Sequence, residues 1–198
     1  LEVDYPSLDR VQLFDVGRDG IRLGHAGDLV VYDQRSVGNR APVFDLHLQP
    51  GERRTLYLRA SSTGSMTLAA SLYSLNEHEQ HSIRGYLAQA IYLGALLALG
   101  SYNLLLFIAL RERPFIYYVL FVSTFCIGLL GLNGLGAQLL WPGAGWWTNR
   151  ALPFGISAAG AIALLFARSF LDTRQWLPRW DRFLGLWFAV VFACALST

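Results

Sequence analysis

Lysine is missing altogether from this chain of 198 residues, whose 16 basic side chains are all arginine, and methionine occurs once. Neither absence points to a function. Cysteine is scarce, at two. Cys126 and Cys194 both fall near the middle of apolar runs, where a small, weakly polar side chain packs, which argues against a disulfide framework or a thiolate metal site. The informative lack is charge: positions 85–110, 114–149, 151–167 and 183–198 hold no Asp, Glu, Lys, Arg or His. At about 1.5 Å per residue, a helix over the first of these outspans a ~30 Å hydrocarbon core. The second half therefore reads as an all-α transmembrane bundle over 85–198, with helices at about 85–110, 115–136 and 150–171 and a truncated fourth at 183–198.

Further absences narrow the function. Pumps and transporters place ionisable residues at mid-depth. The three complete runs carry only neutral polar groups there, such as Gln89, Ser101, Asn103, Ser123, Thr124 and Asn133, which disfavours a transporter. No phosphate loop, nucleophile motif or His/Cys cluster with metal spacing is present, so no catalytic residue, metal or cofactor is assigned. The glycines of GLLGLNGLG miss the dinucleotide fingerprint and follow no strand; they read as a loosened outer end of the second helix.

The charges that are present fall into two regimes. Up to Arg84 there are 9 Arg against 11 acidic residues, and beyond it 7 Arg against 3. The basic excess of the second half gathers in short turns, a topology signal rather than a nucleic-acid footprint. Arg111 and Arg113 flank the first turn, and Arg174, Arg179 and Arg182 follow the third helix with Arg168 just before them. The opposite flanks offer only Arg84 and Arg150, which places the RERP turn in the cytoplasm and the N-terminal region outside. Trp141, Trp146 and Trp147 on one side, with Trp176 and Trp180 on the other, suit the two interfacial aromatic belts.

Over 1–75 the apolar period is close to two. PVFDLHL sets Phe44, Leu46 and Leu48 against Asp45 and His47, and TLYLRA alternates in the same way. LEVDY, RVQLF, GIRLG and MTLAASLY are similar, with turn signals GRDG, QPGE and SSTGS between them. These features predict an antiparallel β-sandwich, incomplete because the chain opens inside a strand pattern. With no leading Met, and with a fourth apolar run that stops at Thr198, the chain is expected to be a fragment of a longer protein.

Residues 76–84 join the two parts. Asn76 and Glu79 have capping-box spacing, which starts a helix near Glu77 that runs unbroken into the bilayer. A short juxtamembrane turn is the alternative. His78 and His81 are read as solvated linker residues rather than metal ligands. Ala90, Gly94 and Ala98 in the first helix, and Gly155, Ala159, Ala163 and Ala167 in the third, form small-residue ridges suited to close helix packing.

The stretches YNLLLFIALRERPFIYYVLF, LGAQLLWPGAGWWTNRALPF and LLFARSFLDTRQWLPRWDRFL, in that order, resemble the membrane module of the bacterial seven-transmembrane receptors with diverse intracellular signalling modules (7TMR-DISM). The preceding DYPSLDRVQLF, QRSVGNRAPVFDLHLQPGERRTLYLR and SSTGSMTLAASLYS are similar to the C-terminal part of that family's second type of extracellular domain, a jelly-roll sandwich thought to bind carbohydrates or related small ligands. The resemblance implies a jelly-roll-like periplasmic sensor, a multi-pass inner-membrane protein, and a cytoplasmic diguanylate cyclase or histidine kinase output absent from this chain. The implied partners are the lipid bilayer, a small extracytoplasmic ligand such as a carbohydrate or carboxylate and, as an option, a second copy of the chain; no nucleic acid is implied. QRSVGNR and the residue region before it offer Tyr32, Gln34, Arg35 and Arg40 as a ligand-binding set of donors and a stacking ring. The alternative is that these arginines pair with Asp28, Asp33 or Asp45 and hold a loop. A non-signalling envelope-binding anchor is the competing function.

Overall fold

The computed structural model describes every residue except Arg18, Asp19, Ser65, Leu177, Ser197 and Thr198. The centre of the GRDG turn and the last serine of SSTGS therefore lie outside the described residues, as do the side chains of Arg174 and Cys194. The chain forms two compact units, one comprising Leu1–Gln80 with Leu130–Arg150, the other His81–Leu129 with Ala151–Thr198.

In the first unit the strands are β1 (Glu2–Val3), β2 (Arg10–Gly17), β3 (Gly20–Ala26), β4 (Thr55–Ser61) and β5 (Ala70–Ser71). They build two small antiparallel sheets, ordered β3-β2-β4 and β1-β5. Alternation along β2 follows from the pleat. Val11 and Leu13 turn inward and are buried with Val3, Leu8, Ala26 and Phe44, while Arg10 and Gln12 turn outward. Asp15 shares the inward parity, and Arg54 reaches it, Nη1 donating to Oδ2 at 2.8 Å while Nη2 donates to Glu52 at 2.6 Å. The Phe44 ring covers Gly24, where a Cβ would lie 2.6 Å from the ring Cδ1.

The strand expected over PVFDLHL is reduced to one bridge, Glu2 to Val43. Phe44 exchanges hydrogen bonds with Leu1, and the Val3 N–H donates to Pro42 O. Pro42 has no N–H to return, and the ladder goes no further among the described residues. The expected alternation survives only in part as burial: Phe44 is buried, Asp45 exposed and Leu46 half-buried, but Val43 is buried too and Leu48 is exposed.

The helices are α1 (Leu75–Leu110), α2 (Arg113–Leu132), α3 (Leu135–Leu139), α4 (Gly145–Phe170), α5 (Thr173–Trp176) and α6 (Pro178–Leu196). Three of them, α1, α2 and α4, are long and apolar enough to cross a membrane. The capping box at the start of α1 is Ser74 with Glu77, not Asn76 with Glu79. Ser74 Oγ lies 2.8 Å from Glu77 Oε2, and the Glu77 N–H returns to Ser74 Oγ at 3.4 Å. Both pairs have the required spacing; only Ser74 stands outside the first turn, where a cap must be. The loosened outer end expected from GLLGLNGLG is a break at Asn133–Gly134, with Gly134 at φ +71° opening α3.

Within the second unit α2 and α4 meet at paired glycines. A Cβ on Gly128 would lie 3.3 Å from the Gly155 carbonyl carbon, and one on Gly155 would lie 2.9 Å from Thr124 O. Such contact requires small residues on both helices. Ala158, Ala159 and Ala161 are buried beside them. The ridge on α1 differs, since no described atom lies within 4 Å of a Cβ placed on Gly94, and α1 has no buried residue. A helix that shows leucine and isoleucine around its circumference is matched to a lipid solvent.

Candidate functional site

The four candidate ligand residues share the segment after β3, and the fold sends them to different places. Arg35 points inward and is buried, its Nη1 donating to Asn39 O at 3.1 Å and its Nε to Val30 O at 3.4 Å. Its guanidinium lies 5.4 Å from the Tyr32 ring centre, a cation–π distance. Asp28 is buried beside it. Burial pushes the Asp28 carboxyl up to about 7, against the opposing pull of Arg35, and burial also lowers the Arg35 guanidinium. Asp28 Oδ1 and Arg35 Nη2 have no hydrogen-bond partner.

Tyr32 and Arg40 are tied to the connection between α2 and α4, which belongs to the same compact unit. The Tyr32 N–H donates to Pro142 O at 3.2 Å. The Arg40 carbonyl lies against Gly134, so close that a Cβ there would overlap it. Nearby, Ser7 Oγ donates to Leu132 O at 3.2 Å, and a Cβ on Gly145 would come within 3.5 Å of Leu29 O. The connection has its own packing, with the Trp141 ring on Gly136 and edge-on to Trp147 at 6.4 Å between centres.

Gln34 alone of the four opens outward. It lines a cleft of about 390 Å³ with Arg10, Gln12, His25, Leu29 and Val30, floored by Val11 and Ala26. Gln12 and His25 are register partners across β2 and β3, so strand pairing sets their spacing. Arg10, Gln12 and His25 went unassigned from sequence. Their signal was outward parity on strands that border the QRSVGNR loop, which requires the register to be known.

The root of α1 is also fastened to the β-domain. His78 Nδ1 lies 3.1 Å from Glu2 Oε2 and Nε2 lies 3.3 Å from Asn39 Nδ2. The consistent assignment has Nδ1–H donating to the carboxylate and Nε2 accepting from the amide. His78 is thus half-buried structure rather than a solvated linker residue. A second cleft, about 350 Å³, opens beside it and is lined by Glu2, Asp45, Phe44, Leu72, Tyr73 and His78 among others.

Of the topology arginines, Arg111, Arg113, Arg179 and Arg182 are exposed, and Arg174 lies in α5. Arg168 is instead held by a bidentate pair to Asp181, Nε at 2.8 Å and Nη2 at 2.9 Å, with Thr173 Oγ1 also donating to Asp181 at 2.8 Å. This ties the end of α4 to the first turn of α6.

An antiparallel β-domain followed by three helices long and apolar enough to cross a membrane is the architecture of a multi-pass membrane protein with an N-terminal extramembrane part. The family model described as 7TM diverse intracellular signalling matches residues 85–198, and the one described as 7TMR-DISM extracellular 2 matches residues 1–74. The chain belongs to the 7TMR-DISM family, and its N-terminal domain is extracellular. Both matched parts are receptor domains rather than catalytic ones. No curated protein and no solved structure matched the chain.

Proposed function

We propose that this chain is the sensing and membrane portion of a bacterial inner-membrane receptor, one that binds a small extracytoplasmic ligand, a carbohydrate or carboxylate, and relays its presence to a cytoplasmic diguanylate cyclase or histidine kinase. The observation that carries this reading is the common unit formed by the β-domain, the root of α1 and the α2–α4 connection. Tyr32, Arg40 and Ser7 hold the connection, and Glu2 and Asn39 hold α1 through His78. A ligand that shifts the QRSVGNR loop therefore acts on three membrane helices at their outer ends, because rigid packed elements carry a displacement that a Gly/Ser tether would absorb. An envelope anchor has no need of such fastening.

The test is thermal melting of the whole chain in detergent against a panel of monosaccharides, oligosaccharides and small organic acids. A ligand that binds the folded state raises the melting temperature in proportion to the logarithm of its concentration. A panel without a single shift would overturn the sensor reading and leave the anchor.

A further inference from the structure

We infer that the ligand is a small organic carboxylate and that it binds in the cleft on the outer face of the β3-β2-β4 sheet, with Arg10 as its anchor. This rests on the sensor reading above and fixes the chemistry and the place.

The cleft is built from donors. Arg10 supplies a guanidinium, Gln12 and Gln34 supply carboxamides, and His25 supplies an imidazole, and no carboxylate lines it among the described residues. A guanidinium meets a carboxylate with two parallel hydrogen bonds, and amides on either side suit the hydroxyls of a hydroxy acid or sugar acid. The volume of about 390 Å³ lies at the small end of the ~300–1,000 Å³ range of small-molecule pockets, so the occupant is about one sugar ring in size.

Its competitors are worse suited. Arg35 is buried and already donates to two backbone carbonyls, leaving it inside the loop rather than in an open site. The cleft at the root of α1 is lined by Glu2 and Asp45, and two acids repel a carboxylate.

The cleft is also placed to report its occupancy. One side is the paired strands, a rigid platform. The other is the Leu29–Gln34 segment, which is pinned to the residue just before β2 by the Leu29 N–H donating to Asp9 O at 3.0 Å. The same segment carries the Tyr32 N–H bond to Pro142 and the Leu29 carbonyl against Gly145. A ligand that draws Gln34 toward Arg10 pulls directly on the α2–α4 connection.

The experiment is calorimetric titration of the full chain in detergent with D-galacturonate, L-malate and acetate, and with neutral D-galactose as comparison. The expected result is saturable binding of at least one acid, and of D-galacturonate at least about tenfold tighter than D-galactose. Arg10→Gln should weaken the bound acid about tenfold or more, Gln34→Ala less, and Arg53→Gln, an exposed arginine outside the cleft lining, not at all. Unchanged melting temperatures of the free variants show that they fold. Acid binding untouched by Arg10→Gln and by Gln34→Ala would overturn the cleft while leaving the sensor reading intact. Binding of neutral sugars from the broader panel, with none of the three acids bound, would overturn the carboxylate. No binding by any member of either set would remove both.

Discussion

Asp28 and Arg35 are opposite charges buried in the same loop, and each keeps one polar atom, Oδ1 and Nη2, without a hydrogen-bond partner. The pair is electrostatically coupled, yet for Asp28 the desolvation outweighs the attraction. A buried pair that leaves polar atoms unsatisfied adds little to stability, so this loop is held by its backbone bonds and by the Arg35 bonds to Val30 O and Asn39 O rather than by the attraction between the two charges.

That imbalance sets a pH dependence. Burial pushes the Asp28 carboxyl up to about 7 in the fold, from an ordinary value of 3.8. Between those values the folded chain holds a proton that the unfolded chain has lost, so this group's contribution is fully present below about pH 4 and is lost as pH rises toward 7. The full shift corresponds to no more than about 4 kcal/mol, an upper bound. The expected outcome is that the melting difference between wild type and Asp28→Asn changes through this window and is flat above about pH 8. The same difference at pH 5 and pH 8 would remove Asp28 as the source.

Gly134 fastens the α2–α4 connection to the β-domain. Its φ of +71° lies in the left-handed region, and the Arg40 carbonyl occupies the space a Cβ would need. Gly134→Ala should cost about 1–2 kcal/mol for the backbone conformation alone, and more for the collision with Arg40. Limited proteolysis is the readout. Cleavage within residues 130–150 should accelerate before the β-domain itself is cut, and an unchanged digestion pattern would mean that the connection does not depend on this contact.

The membrane half was legible because its signal is composition, and 26 consecutive residues without charge admit few readings. β2 and β4 were legible by alternation. PVFDLHL alternates equally well but lacks a ladder, because strand pairing depends on what lies alongside and a single strand's pattern does not record it. The candidate site divided for the same reason. QRSVGNR marked the right loop, yet which of its side chains face inward depends on a turn geometry that buries Arg35 and exposes Gln34. Arg10, Gln12 and His25 join Gln34 only through the β2–β3 register. The capping box erred by two residues, as helix ends do when two candidate pairs share one spacing.

Ser74 gives a direct test of how α1 begins. Its hydroxyl lies 3.4 Å from the Glu77 N–H and 2.8 Å from the Glu77 carboxylate. Ser74→Ala should destabilise by about 1 kcal/mol, whereas Asn76→Ala should cost only a few tenths, as expected of a surface helix position. Amide exchange over residues 75–80 distinguishes the two. Faster exchange in the Asn76 variant alone would restore the cap to the later pair.

Arg111 closes α1 and also carries part of the topology signal. Its N–H donates to Phe107 O at 2.8 Å with φ at +58°, the left-handed position after a helix that glycine commonly fills. The side chain is exposed, as is that of Arg113. Orientation depends on the count of arginines in short loops, and acidic residues contribute little. Replacing Arg111 and Arg113 with Glu leaves Arg168, Arg174, Arg179 and Arg182 on the inner side against Arg84 and Arg150 on the outer. The double variant should therefore keep its N-terminal domain outside, with protease added to intact spheroplasts still digesting the β-domain. Adding Arg174→Glu, Arg179→Glu and Arg182→Glu leaves only Arg168, which is bound to Asp181. That variant should give a mixed population with part of the β-domain protected. Full digestion in both variants would assign the orientation to the external domain itself rather than to the loop arginines.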